Sequence, residues 1–116
     1  MKHEMIEQVT FIEYLTLRGA LFTATVGGVR LSIGQATALK RQGYSKGVPD
    51  ILIFEPRGKY HGLMIEMKRQ RIKGEPRGRV SPDQERWKEQ LLARGYRSEV
   101  CEGFDEAKGV YDAYMA

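Results

Sequence analysis

Two carboxylates and a lysine stand at the ends of the most strand-like segments of the sequence. Asp50 comes directly before the apolar run 51–54, and Glu66 and Lys68 come at the end of the segment 63–68. Side chains two residues apart on a strand point to the same face, so Glu66 and Lys68 share a face. If the two strands are neighbours, Asp50 can lie beside Glu66. Two carboxylates that close repel each other unless a cation lies between them.

This arrangement predicts a site for metal-assisted hydrolysis of a phosphodiester. Carboxylate oxygens are ligands that Mg²⁺ prefers, and Mg²⁺ usually keeps several of its waters. A lysine one step along the strand can hold or deprotonate such a water, or stabilise the developing charge on the phosphate. Each residue alone also has a structural interpretation, because Asp50 can bond local backbone and Glu66 and Lys68 can line a solvated strand face. The three together, with apolar strands between them, favour the metal site.

Composition restricts the class of protein. The chain has 116 residues, a net charge of +4 and one cysteine, Cys101. We expect one domain over residues 1–116, with Cys101 packed as a small apolar side chain. The sequence shows no run of the ~18 apolar residues that a membrane span needs and no signal-peptide core, so a cytoplasmic protein is expected. The basic charge suits a polyanionic partner.

The segments that must position the three residues alternate between helix and strand. Apolar periodicity and turn residues predict helices over 3–18, from Ser32 to Gly43, from Ser81 to Gly95 and over 105–115. Strands are expected over 20–26, 51–54, 63–68 and 96–102. The predicted fold class is therefore α/β, in the order α-β-α-β-β-α-β-α, with a mixed sheet flanked by helices.

Two further segments are predicted from local signals. Ser81 and Gln84 have the spacing of a helix N-cap and its N3 partner. The inner face of the helix that follows is expected to consist of Trp87, Leu91 and Leu92. Residues 69–81, which are basic, carry glycines and lack a period, are expected to form a mobile loop.

The sequence resembles a known family at several separate motifs. "GVPDILIF" at 47–54 followed by "MIEMK" at 64–68 is similar to the PD-(D/E)xK nuclease motif. Within that superfamily the chain resembles the VRR-Nuc family, through "GGVR" at 27–30, "LKRQGYSKGVPD" at 39–50, "SPDQERWKEQLLARGY" at 81–96 and "EVCEGFDEAKGVYDAY" at 99–114. The resemblance covers nearly the whole chain and implies a restriction-endonuclease-like core.

The resemblance also implies a ligand set and roles for single residues. It implies Mg²⁺, or Mn²⁺ in its place, held by Asp50, Glu66 and the backbone carbonyl of Met67, with Lys68 at the attacking water. The first helix of the family usually offers a glutamate to the metal, and here Glu4 and Glu7 are both candidates. The family also places a glutamine near the site, at the position of Gln84. Glu4 and Glu7 can instead be solvated first-turn acids, and Gln84 a capping residue.

The basic segment after the predicted strand 63–68 suggests contacts with DNA. Six cations and one acid, Glu75, lie between residues 68 and 79. Guanidinium groups bind phosphates in a bidentate manner. The predicted DNA-binding residues are Arg69, Arg71, Lys73, Arg77 and Arg79, with Lys40, Arg41 and Lys46 extending the same surface; solvated surface charge is the alternative.

These observations together predict a Mg²⁺-dependent endodeoxyribonuclease with no small-molecule cofactor and no membrane association. Family members of this size, often phage-encoded, resemble Holliday-junction resolvases. The resemblance therefore implies branched DNA as substrate, a homodimer, and the cytoplasm of a bacterial or phage-infected cell. The alternatives are a flap or single-strand-selective nuclease, a catalytically idle DNA-binding module, and a basic scaffold domain that binds protein.

Overall fold

The four predicted helices and four predicted strands are present in the predicted order. The structure, a computed structural model, describes residues 3–27 and 29–116, and for residues 3 and 4 only the backbone. The elements are α1 (His3–Leu17), β1 (Phe22–Ala24), α2 (Ile33–Arg41), β2 (Ile51–Ile53), β3 (Leu63–Lys68), α3 (Pro82–Ala93), β4 (Arg97–Glu102) and α4 (Gly103–Met115). Among the described residues, no helix is long and apolar enough to cross a membrane.

The strands form one mixed sheet in the order β1-β2-β3-β4. β1 pairs with β2 and β2 with β3 in antiparallel fashion, whereas β4 runs parallel to β3. Helix α3 provides the crossover that a parallel pair requires. The predicted fold class, a mixed sheet flanked by helices, is confirmed.

The core lies on one face of this sheet, beneath α1 and α4. Strand alternation directs Ile51, Ile65 and Met67 to that face, where all three side chains are fully buried. Phe11 of α1 and Tyr111 of α4 pack into the same cluster, with their ring centroids 6.4 Å apart in an edge-to-face arrangement. The opposite face of β3 is left for Met64, Glu66 and Lys68.

Cys101 packs in this core as the sequence predicted. Its side chain is fully buried, and burial raises the pKa of its thiol to about 12. The thiol therefore stays protonated at neutral pH and serves as an apolar group.

Helix α3 begins as predicted but packs differently. Its first turn carries the complete capping box, in which the Gln84 amide donates to Ser81 Oγ and the Ser81 amide donates to Gln84 Oε1. The predicted inner face of Trp87, Leu91 and Leu92 is wrong at Leu92, which is exposed, and none of the described residues of α3 is fully buried. Trp87 and Leu91 are half-buried and line an open cavity instead.

The segment 69–81 has no helix or strand, as predicted, but ion pairs anchor it. Arg71 contacts Glu102 through its backbone amide at 3.0 Å and its Nε at 2.9 Å. Arg77 contacts the other oxygen of Glu102 at 3.1 Å and Glu106 at 3.0 Å. Glu102 is buried, on the same face of the sheet as its β3 partner Lys68. One carboxylate at the end of β4 thus holds two points of the loop, and we did not anticipate this restraint.

Replacing Glu102 should release the loop from the sheet. Glu102→Gln keeps the shape of the side chain but removes the charge that both arginines contact. We expect faster amide hydrogen exchange across residues 69–79 at pH 7, measured by mass spectrometry. Glu106→Gln is the matched control, because Glu106 is exposed and contacts only Arg77 of these two arginines. Exchange rates unchanged in Glu102→Gln would contradict the anchoring role.

The same restraint should depend on pH. The hydrogen bond from the Arg71 amide and the charges of Arg71 and Arg77 hold the pKa of Glu102 below its ordinary value of 4.5, against the opposing effect of burial. A carboxylate with a lowered pKa stabilises fully above its unfolded-state value and loses that effect as the pH falls through the folded value. Loop exchange in the wild-type chain, corrected for intrinsic rates, should therefore accelerate only below about pH 4.5.

Candidate active site

Strand register brings the two predicted carboxylates together. Ile51 pairs with Ile65 in the antiparallel ladder of β2 and β3. Continued by one residue, this register places Asp50 opposite Glu66, and opposite residues of an antiparallel pair project to the same face. The ladder ends at Ile51, and beyond it the Met67 amide donates to Asp50 Oδ2, at 2.7 Å. The Asp50 side chain thereby occupies the position that a backbone carbonyl would take in a continuing ladder.

Both carboxylates are removed from water. Asp50 is 4% exposed and Glu66 is 8% exposed. Burial of a charge is costly unless hydrogen bonds or an opposite charge compensate for it. Asp50 has the Met67 amide, and Glu66 Oε2 has the Lys68 ammonium at 3.9 Å. A cation shared by the two carboxylates would offset the remaining cost.

The donor set fits a hard divalent ion. In a β-strand, the N–H and C=O of one residue point to the same edge of the strand. Because the Met67 amide bonds to Asp50, the Met67 carbonyl also faces the side of β3 on which Asp50 lies. Two carboxylates and one carbonyl leave room for the waters that Mg²⁺ retains. Among the described residues, no group of three or more His, Cys, Asp and Glu side chains could hold a metal ion. The candidate site is thus two carboxylates with backbone and water.

Lys68 is held in place from two directions. Its Nζ lies 3.2 Å from Gln84 Oε1, which also accepts the Ser81 amide at 2.9 Å. A Cβ built on Gly78 would contact the aliphatic stem of Lys68 at 3.4 Å, so the loop packs along that stem. The capping role of Gln84 and its place beside the site are therefore compatible, because one oxygen serves both.

Thr25 and Gly27 hold Asp50 from the side of β1. The Thr25 amide donates to the Asp50 carbonyl and its hydroxyl to the Pro49 carbonyl, both at 2.8 Å. A Cβ built on Gly27 would lie 3.3 Å from Asp50 Oδ1, so a larger residue there would crowd the carboxylate. The strand predicted over 20–26 pairs only over 22–24, and Thr25 continues the contact beyond it.

Tyr44 is a neighbour of the carboxylates that sequence reasoning missed. Burial raises the pKa of its phenol, and the charges of Asp50 and Glu66 raise it further. Its position between Lys40 and Lys46, just before the Asp50 motif, was the available signal. Tyr44 and both lysines also line the cavity beside Trp87.

The two candidate glutamates of α1 lie in different situations. Glu7 accepts a hydrogen bond from the Phe104 amide in the first turn of α4. The Glu4 side chain lies outside the part of the chain that the structure describes. Glu7 thus does not stand as a third carboxylate with Asp50 and Glu66 among the described side chains, and both glutamates stay predicted ligands.

The predicted DNA-binding residues fall into two groups. Arg69 forms an ion pair with Glu75 at 2.7 Å, and Arg71 and Arg77 bind Glu102, while Lys73 and Arg79 are exposed. The second group, Lys40, Arg41 and Lys46, is exposed at the end of α2 and in the loop after it. The second group and the exposed Lys73 and Arg79 therefore offer the more accessible charge.

Comparison with known proteins agrees with this fold. A solved structure described as a VRR_NUC domain protein is 25% identical and superposes with a TM-score of 0.72, over 99% of this chain and 89% of that one. A second, described as a VRR_NUC domain, is 23% identical with a TM-score of 0.63, over 98% and 99% of the two chains, and shows the fold. No curated protein matches the sequence. A family model of the VRR-NUC domain matches residues 2–105, and the chain therefore belongs to the VRR-NUC nuclease family.

Proposed function

We propose that the chain is a Mg²⁺-dependent endodeoxyribonuclease that acts on branched DNA in the cytoplasm. The observation that carries this proposal is the contact of Asp50 with the Met67 amide, which sets Asp50 beside Glu66 and Lys68 on one face of the sheet. Membership of a nuclease family supports the class of reaction.

The residues of the chain divide the chemistry among themselves. Asp50, Glu66 and the Met67 carbonyl would hold Mg²⁺, or Mn²⁺ in its place, with Glu4 or Glu7 as a further ligand. The bound ion would lower the pKa of water and stabilise charge on the phosphate. Lys68 donates hydrogen bonds to the attacking water or to a phosphate oxygen. Gln84 Oε1 orients the Lys68 ammonium, at 3.2 Å.

A homodimer would match the symmetry of a branched substrate. A four-way junction has two-fold symmetry, so a C2 dimer presents one site to each of two opposed strands. Helix α1 supports this proposal, because Met5, Ile6, Val9 and Leu17 are exposed on its surface. Exposed apolar patches commonly mark contacts with another protein.

A flap or single-strand-selective nuclease is the second candidate function. It uses the same metal site as a monomer, and the open cavity lined by Lys40, Tyr44 and Trp87, between α2 and α3, favours it. Cleavage of a four-way junction, 5′ flap, 3′ flap, fork and plain duplex, each with Mg²⁺ and with Mn²⁺, distinguishes the candidates. If none of these DNAs is cleaved, the chain is a DNA-binding module without catalytic activity. If the chain also shows no salt-sensitive DNA binding, it is a scaffold domain that binds protein.

Charge removal at either carboxylate should abolish cleavage without loss of DNA binding. Asp50→Asn keeps an oxygen that accepts the Met67 amide, and Glu66→Gln keeps the side-chain volume. Both remove a charge that the metal requires. Cleavage assays should show no product for either variant, while binding in EDTA matches that of the wild type. Wild-type turnover by Asp50→Asn would contradict the metal site.

Replacing Lys68 should slow the reaction. Lys68→Met keeps the aliphatic stem that packs against Gly78 but removes the ammonium. We expect a loss of at least ~100-fold in single-turnover rate, the range for a group that acts on the nucleophile or the developing charge. Lys59→Met, in the exposed turn between β2 and β3, is the matched control. Equal rates for the two variants would remove Lys68 from the mechanism.

The protein should be a dimer that prefers junctions to linear duplex. Light scattering of the wild type should give twice the chain mass, and Leu17→Glu should give a monomer, because a charge cannot be buried in an apolar interface. Leu92→Glu, at an exposed leucine of α3, should remain dimeric. Competition binding should favour a four-way junction over duplex of equal length. A wild-type monomer that cuts flaps faster than junctions would contradict this prediction.

A further inference from the structure

An open groove separates α2 from α3 on the side of the molecule that carries the carboxylates. Its volume is about 1160 Å³, and Val26, Tyr44, Trp87 and Leu91 contribute much of its apolar and aromatic lining. None of the nine residues of α2, all of them described, is buried. The groove is larger than most small-molecule pockets. Its size and openness suit an extended chain.

The groove carries a strong excess of positive charge. Lys40, Lys46, Arg86 and Arg94 line it, against the single acid Asp83 among its described lining residues. Asp83 already contacts Arg86, at 3.2 Å. Three arginines of the segment 69–79, by contrast, are bound to glutamates. Lys40, Lys46 and Arg94 form no ion pair with a described residue, so these three cations are better available to phosphates.

The groove borders the candidate active site at Gly27 and Tyr44. Gly27 lines the groove, and a Cβ built on it would lie 3.3 Å from Asp50 Oδ1. Tyr44 also lines the groove and lies within the electrostatic influence of Asp50 and Glu66.

We propose that this groove binds one unpaired strand of the DNA substrate, with phosphates on the lysines and arginines and bases stacked on Trp87 and Tyr44. This inference rests on the proposed nuclease function and adds a substrate requirement to it. Aromatic side chains in a basic groove are the usual platform for single-stranded nucleic acid. A duplex keeps its bases stacked on each other, so it cannot use these rings.

A second copy of the chain fits the groove less well. A two-fold interface here would set the same four cations against their own copies, which is unfavourable. The expected substrates therefore have an unpaired strand beside the cleaved phosphate, as in a flap, a fork or a junction opened at its centre.

Trp87 provides a direct measurement, because it is the single tryptophan of the chain. Its fluorescence should be quenched by a dT oligonucleotide in EDTA, where no cleavage takes place, and little affected by a blunt duplex of equal length. Absence of quenching by the oligonucleotide, or equal quenching by the duplex, would overturn the proposal. If the dT oligonucleotide quenches the Trp87 fluorescence but the protein never cleaves DNA, the nuclease function is refuted. The proposal that the groove binds an unpaired strand would then still stand.

Variants of Trp87 separate stacking from packing. Trp87→Leu should weaken binding of labelled dT oligonucleotide about tenfold, the range for loss of one stacked base, whereas Trp87→Phe should restore most of it. Leu92→Ala, on the same helix but outside the groove lining, should bind as the wild type does. Equal binding by Trp87→Leu and wild type would contradict the proposal. So would a change of oligomeric state in Trp87→Leu, since the groove would then be a protein interface.

Discussion

The hydrogen bond from the Met67 amide to Asp50 Oδ2, 2.7 Å long, is the contact on which the candidate site depends. It replaces a backbone pair at the end of the β2–β3 ladder, so the carboxylate is fixed by the sheet rather than by a flexible loop. The Met67 amide and the Met67 carbonyl both lie on the edge of β3 that faces Asp50. Two acids buried side by side repel each other, and a divalent ion between them would offset that repulsion in addition to the Lys68 ammonium. A divalent ion would therefore contribute to stability as well as to chemistry.

The two faces of the sheet carry different residues, because one face forms the core and the other carries the candidate site. Ile51, Ile65 and Met67 face α1 and α4 and form the core. The other face carries Glu66, Lys68 and Glu102, with the start of α3 and the basic loop folded over them. Substitutions on that second face can thus change the candidate site while the core remains intact.

Patterns among adjacent residues predicted the helices and strands. They could not predict contacts between residues that are far apart in the sequence. The capping boxes at Ser32 and Ser81 and the period of the strands are properties of a few adjacent residues, so element order could be predicted. The same period of two predicted that Glu66 and Lys68 share a face. The role of Glu102 could not be predicted, because its partners Arg71 and Arg77 lie 31 and 25 residues away. Trp87 was assigned to the inner face of α3 and lines the open groove instead. The position of a residue in a helix does not show which element, if any, packs against it.

The proposed nuclease function requires that Asp50 and Glu66 bind a divalent ion that Lys68 does not ligate. Calorimetric titration of Mn²⁺ into the protein without DNA tests this most directly. We expect the wild type and Lys68→Met to bind Mn²⁺ and Asp50→Asn to bind it at least about tenfold more weakly, because one anionic ligand is lost. Equal affinity in the wild type and Asp50→Asn, or loss of binding in Lys68→Met, would contradict it.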